Sequence, residues 1–119
     1  MILENMSKFN FKSQICTDKN QSERLLALGL KKETADCYWF YCDIAKEWKC
    51  TILSSTQVFK DYPTTIIPAW SLGRLIEMAL KDVLICGISF TFNEDAYEKV
   101  IGIIEYQIEG GYFNKEYLV

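Results

Sequence analysis

The chain contains no histidine. That removes the side chain most used as a general base near neutral pH, as the partner of a nucleophilic serine or cysteine, and as a metal ligand. Phosphate-cradling loops are missing as well, since neither GxGxxG nor GxxxxGK[ST] occurs. Positive charge is scarce: 13 Lys and Arg stand against 16 Asp and Glu, a net charge of −3, which disfavours a general role on nucleic acid. The longest nearly unbroken apolar run, Val83 to Ile88, falls far short of the roughly 18–20 residues that span a bilayer. Met1 to Met6 holds an acid and no base, unlike the start of a signal peptide. These absences predict a cytoplasmic protein with no membrane partner.

Five cysteines are present, Cys16, Cys37, Cys42, Cys50 and Cys86. An odd, scattered set argues against the disulfide framework of a small secreted domain, so reduced thiols are expected. Cys37, Cys42 and Cys50 are separated by four and seven residues, without a CxxC knuckle or a histidine to complete a zinc site. Neither metal nor cofactor is expected.

Half of the 119 residues are hydrophobic and 14% are aromatic, which is ample for one packed core. No repeat, low-complexity tract or linker divides the sequence, so residues 1–119 read as one domain, with residues 1–8 the part expected to fray. Phe9, Phe11 and Ile15 alternate with polar residues as an edge strand would.

Thr17 to Asn20 offers several caps for a helix through Ser22 to Leu28, ended by Gly29, with Leu25 and Leu28 inward and Leu26 on the flank. A short helical turn is expected over Lys32 to Cys37. Tyr38 to Cys42 and Trp48 to Leu53 are aromatic and β-branched runs on either side of a polar connection, the pattern of a β-hairpin. In it Trp48, Cys50 and Ile52 share one face. Ser54 to Pro68 reads as a loop anchored by Val58, Phe59 and Tyr62.

Ser71 caps a helix whose Leu72, Leu75, Ile76, Ala79 and Leu80 form one apolar stripe. Ile88, Phe90 and Phe92 alternate as a half-buried strand. Asn93 is then expected to cap a helix with a stripe of Tyr97, Val100, Ile101, Ile104 and Ile108, stopped by Gly110-Gly111. The tail from Tyr112 docks as a strand or short turn. The fold class predicted is α+β, about three helices packed on a small, mainly antiparallel sheet.

The aromatic block at Tyr38 to Tyr41 is the most distinctive chemistry. Successive strand side chains point to opposite sides, so these four rings cannot all face one core. A helix covering the second face is one way to bury them; an interface is the other, because Tyr and Trp are frequent anchors in protein contacts. Tyr38, Trp39, Tyr41, Trp48 and Trp70 are the candidate partner-binding surface. Trp70 also reads as a structural staple on the following helix, with Gly73 permitting close approach and Arg74 able to meet a carboxylate.

Ser22 to Tyr38 invites a helix-turn-helix reading centred on Gly29, with Lys19, Arg24, Lys31 and Lys32 for phosphates. Leu25 is large for a tight helix crossing, and the second helix would run into Cys37 to Phe40 rather than residues that read base edges. Nucleic acid is therefore a disfavoured partner. Glu94, Asp95, Glu98, Glu105 and Glu109 read as the solvated face of the last helix rather than catalytic carboxylates.

Three strings, Glu33 to Trp39, Ile67 to Met78 and Gly110 to Leu118, resemble a group of small proteins of gut bacterial genomes, prophages and mobile elements with no assigned activity. The resemblance implies a stand-alone domain of that provenance. The function expected is a non-enzymatic interaction or accessory protein without catalytic residues, acting on a protein partner or a second copy. The alternatives are a helix-turn-helix-like DNA-binding accessory protein and an atypical cysteine or carboxylate hydrolase.

Overall fold

The computed structural model describes residues 13–80 and 95–119. Among these residues four helices, α1 (Lys19–Ala27), α2 (Gln57–Asp61), α3 (Leu72–Leu80) and α4 (Ala96–Gly110), accompany an antiparallel sheet of β1 (Cys37–Cys42), β2 (Glu47–Ile52) and β3 (Ile66–Ala69). The order is β2-β1-β3, so the aromatic strand is central. The fold is α+β, as the sequence pattern predicts.

Asp18 is the residue that caps α1. Its carboxylate accepts the Gln21 N–H at 2.7 Å while the Gln21 side chain accepts the Asp18 N–H at 3.0 Å, a reciprocal capping box. Gln21, Ser22 and Leu25 turn inward, Leu26 and Leu28 are half-buried, and Gly29 takes φ +102° where the helix ends. The expected turn before the hairpin is a single 3-10 turn, Lys32–Thr34.

In β1 and β2, Cys37 faces Ile52, Trp39 faces Cys50 and Tyr41 faces Trp48. Leu53 N–H donates to Asp36 C=O at 2.8 Å, which makes that pair hydrogen-bonded and, by alternation, also Tyr38/Thr51 and Phe40/Lys49. Cys37 and Trp39 then bond to β3 instead. Pro68, opposite Tyr38, consequently turns its nitrogen away from β1, and its missing N–H costs the ladder nothing.

The stretch expected to be a loop, 54–68, is more ordered than its composition suggests. It forms α2 and most of β3, with Phe59 buried in the core. The prolines and threonines that obscured the strand are compatible with an edge position.

The main core gathers Leu25, Leu30, Phe59, Trp70, Leu75, Val100, Ile101 and Ile104, with Tyr38 and Ile66 packing from the sheet. A smaller cluster of Cys16, Cys37 and Ala69, with Trp39 and Cys50, lies on the other sheet face. Helix α4 is capped by Asp95, whose carboxylate accepts the Tyr97 and Glu98 N–H groups, and ends at Gly111 with φ 77°. Its inner stripe is Tyr97, Val100, Ile101, Ile104 and Gln107, with Ile108 half-buried. Gln107 sits inside because its amide donates to Ala79 C=O at 2.8 Å. The tail forms a 3-10 turn, Lys115–Tyr117, and an isolated bridge between Leu118 and Leu30. Asp95, not the expected Asn93, thus caps α4, because its carboxylate is the one that meets the first free N–H groups; the expected strand at Ile88 to Phe92 and the contributions of Phe9 and Phe11 lie outside the described residues.

Candidate functional site

The five aromatic residues marked in the sequence divide among three environments. Trp70 is 0% exposed and belongs to the core, which removes it from any contact surface. It precedes α3 directly, and its indole N–H donates to the Thr34 hydroxyl at 2.9 Å, so both its ring and its polar edge are used internally. Tyr38 is half-buried on the core side of the sheet, 6.0 Å from the Phe40 ring. Trp39, Tyr41 and Trp48 share the opposite face.

On that face Tyr41 and Trp48 meet edge to face, with centroids 5.8 Å apart and planes at 74°. The contact follows from register: a non-hydrogen-bonded pair brings opposed side chains closest. Tyr41 is 46% and Trp48 37% exposed, and Ile52 continues the same face at 75%. The Lys19 ammonium stands 4.6 Å from the Trp48 ring centre. Trp39 is half-buried because residues before α1 cross it, and its indole N–H donates to Thr17 C=O at 2.7 Å.

Cys16 and Cys50 form a disulfide that fastens this crossing segment to β2. This corrects the expectation of five reduced thiols: chain topology brings together two cysteines 34 residues apart, which an odd count does not reveal. Among the described residues Cys37 and Cys42 are free. A cavity of about 500 Å³ lies between the segment and the hairpin, bordered by Ile15, Cys16, Trp39, Trp48 and Lys49. Ile15, expected in an edge strand, is instead 68% exposed at its rim.

Beside β1, Asp36 accepts the Ser71 N–H at 2.8 Å and the Ser71 hydroxyl at 2.5 Å. The Ser71 hydroxyl in turn accepts the Arg74 N–H at 3.2 Å, and the Arg74 guanidinium donates to Thr34 C=O at 2.8 Å. The strings Glu33 to Trp39 and Ile67 to Met78 therefore meet in space as one hydrogen-bonded junction. Burial pushes the neighbouring Cys37 thiol up to about 11, with the Asp36 charge and hydrogen bond adding to it. A thiol so held stays protonated at neutral pH, the reverse of an activated nucleophile.

The carboxylates of α4 have structural partners. Glu98 accepts from Gln21 at 2.7 Å and pairs with Arg24 at 2.7 Å, which together hold it below the usual carboxylate range. Asp95 is a cap, Glu109 is exposed and Glu105 half-buried, while Glu94 lies outside the described residues. The segment from Ser22 to Tyr38 contains one helix followed by a 3-10 turn and a strand, so it supplies no second helix to enter a groove. No helix among the described residues is long and apolar enough to cross a membrane. None of them form a group of three or more cysteines and carboxylates able to hold a metal ion.

β2 pairs with β1 on one side, and among the described residues no backbone group bonds its outer side. The alternation derived above turns the N–H and C=O groups of Trp48, Cys50 and Ile52 to that side. The open edge thus runs beside the exposed ring pair. Sequence patterning made Ile52 legible as part of this face; the contributions of Ile15 and Lys19 needed the three-dimensional crossing. Comparison with protein-family models, curated proteins and solved structures finds no match.

Proposed function

We propose that this is a non-enzymatic interaction protein that receives an extended segment of another polypeptide along the outer side of β2. The observation that carries the reading is the exposed Tyr41–Trp48 pair beside a strand edge with unpaired backbone groups. Main-chain pairing supplies affinity in strand addition, and side chains on alternate positions supply selectivity. Here Trp48 and Ile52 are those positions, with Tyr41 behind them on β1. The partner is a second copy or a different protein. On the resemblance of the three strings, the setting proposed is a bacterial mobile element or prophage.

Trp48→Ala and Tyr41→Ala test the reading, because both rings are exposed and their loss leaves the core intact. Light-scattering mass measurement reads self-association, and affinity capture from the native host reads a heterologous partner. The variants are expected to lose a species that the wild type holds, with unchanged circular dichroism. Retention of every bound species by both variants would remove the proposal.

A further inference from the structure

A separate cavity of about 430 Å³ opens on the other side of the sheet, between the hairpin and α2. Three rings line it, Tyr38, Phe40 and Tyr62, with Val58 on one wall, while Tyr41 borders it from β1 with its ring turned to Trp48 on the other face. Strand alternation supplies Tyr38 and Phe40 from the core-facing side of β1, and Tyr62 follows the last turn of α2. Asp43, in the turn directly after β1, is the one charged residue of the lining among the described residues. Its carboxylate forms no hydrogen bond or ion pair with any described residue. Among the described residues no lysine or arginine lines the cavity.

This combination discriminates among ligand classes. Ring faces carry the negative part of the aromatic quadrupole, so several rings and one carboxylate attract a cation and repel an anion. A neutral apolar guest would gain the ring contacts but nothing from the carboxylate. A bare metal ion or primary ammonium loses more hydration against such walls than an alkylated nitrogen does. The volume falls within the range of small-molecule sites, about 300–1,000 Å³.

We propose that this cavity binds an organic ammonium ion, its alkylated nitrogen among the three rings and Asp43 as counter-ion. The site stands apart from the outer side of β2, since the Tyr41 ring faces Trp48 on the other side of the sheet, and neither assignment depends on the other.

NMR titration of the full chain with choline and benzyltrimethylammonium tests it, with 3,3-dimethylbutan-1-ol as the uncharged carbon isostere of choline. Both cations are expected to shift the ring signals of Tyr38 and Tyr62, and the isostere is expected to leave them in place at equal concentration. Asp43→Asn is expected to weaken cation binding about two- to fivefold, the scale of an exposed cation–carboxylate contact. Tyr62→Ala, at an exposed ring, is expected to weaken it too, with the remaining spectrum unchanged. Equal binding of the isostere, unaltered affinity in Asp43→Asn, shifts confined to the Trp39 and Trp48 side, or no shifted ring signal with either cation would each overturn the proposal.

Discussion

Thr17 and Trp70 hold each other through two hydrogen bonds: the Thr17 N–H donates to Trp70 C=O at 2.8 Å, and the Trp70 N–H donates to the Thr17 hydroxyl at 3.1 Å. Both residues are fully buried. The same hydroxyl accepts the Trp70 N–H and lies 2.8 Å from Ser22 Oγ, a hydroxyl pair in which either oxygen can donate. Thr17→Val keeps the shape and strands two buried polar groups, at a cost of about 1–3 kcal/mol. Thr17→Ser retains the hydroxyl and is expected to cost clearly less. Urea unfolding of the two variants compares them directly.

Alkaline pH is expected to destabilise the protein through Cys37. Its folded pKa is pushed up to about 11 from an ordinary 9.0. Between those values the unfolded chain has released the proton and the folded chain retains it, so stability is complete below about pH 9 and falls as pH rises towards 11. Tyr97, also raised by burial, adds to the same limb. Cys37→Ala should flatten, without abolishing, the decline of thermal stability over this range; an unchanged slope would contradict the assignment.

On the acid side the sign reverses. The Gln21 hydrogen bond and the Arg24 pair depress Glu98, so its contribution is present above the ordinary glutamate range and disappears as pH falls through the lowered folded value. Glu98→Gln is expected to make unfolding less steep in pH over that interval. The pair is exposed, so raised salt should shrink the difference between variant and wild type.

Adjacent glycines after α4 have different reasons to be glycine. Gly111 occupies φ 77°, where a side chain is strained, and Gly111→Ala is expected to cost about 1 kcal/mol. At Gly110 a Cβ would meet Tyr112 Cε2 at 2.6 Å, but that ring is exposed and able to swing away. Gly110→Ala should therefore cost less in a thermal melt. The reverse ranking would show that the ring is fixed.

Oxidised protein is expected to lose about 3–4 kcal/mol when the Cys16–Cys50 link, with its separation of 34 residues, is cut by a dithiol reductant or by Cys50→Ser. Denaturant curves with and without reductant measure this. Coincident curves would show that the link adds nothing to the native state.

Patterning made most of the architecture readable. The hairpin followed from two β-branched and aromatic runs, and both long amphipathic helices followed from three- and four-residue spacing. β3 was hidden because four residues, Ile66 to Ala69, give too short an alternation, and Pro68 argues for a loop until its nitrogen is known to face outward. The site was half legible. Alternation predicts that the four rings of β1 divide between two faces, but which face is covered depends on where residues 13–18 and α2 lie. Trp70 shows the limit: nothing local distinguishes a ring that anchors a partner from one that fills the core.

The outward nitrogen of Pro68 has a consequence for how far any assembly can grow. A chain that approached β3 would find no donor at that position, whereas one approaching β2 meets a full row of groups. Among the described residues, the β2 margin is therefore the better-supplied of the two for strand addition. Two copies joined back to back through β2 would use up that margin in each, and Pro68 would interrupt the donors on the β3 side left outward.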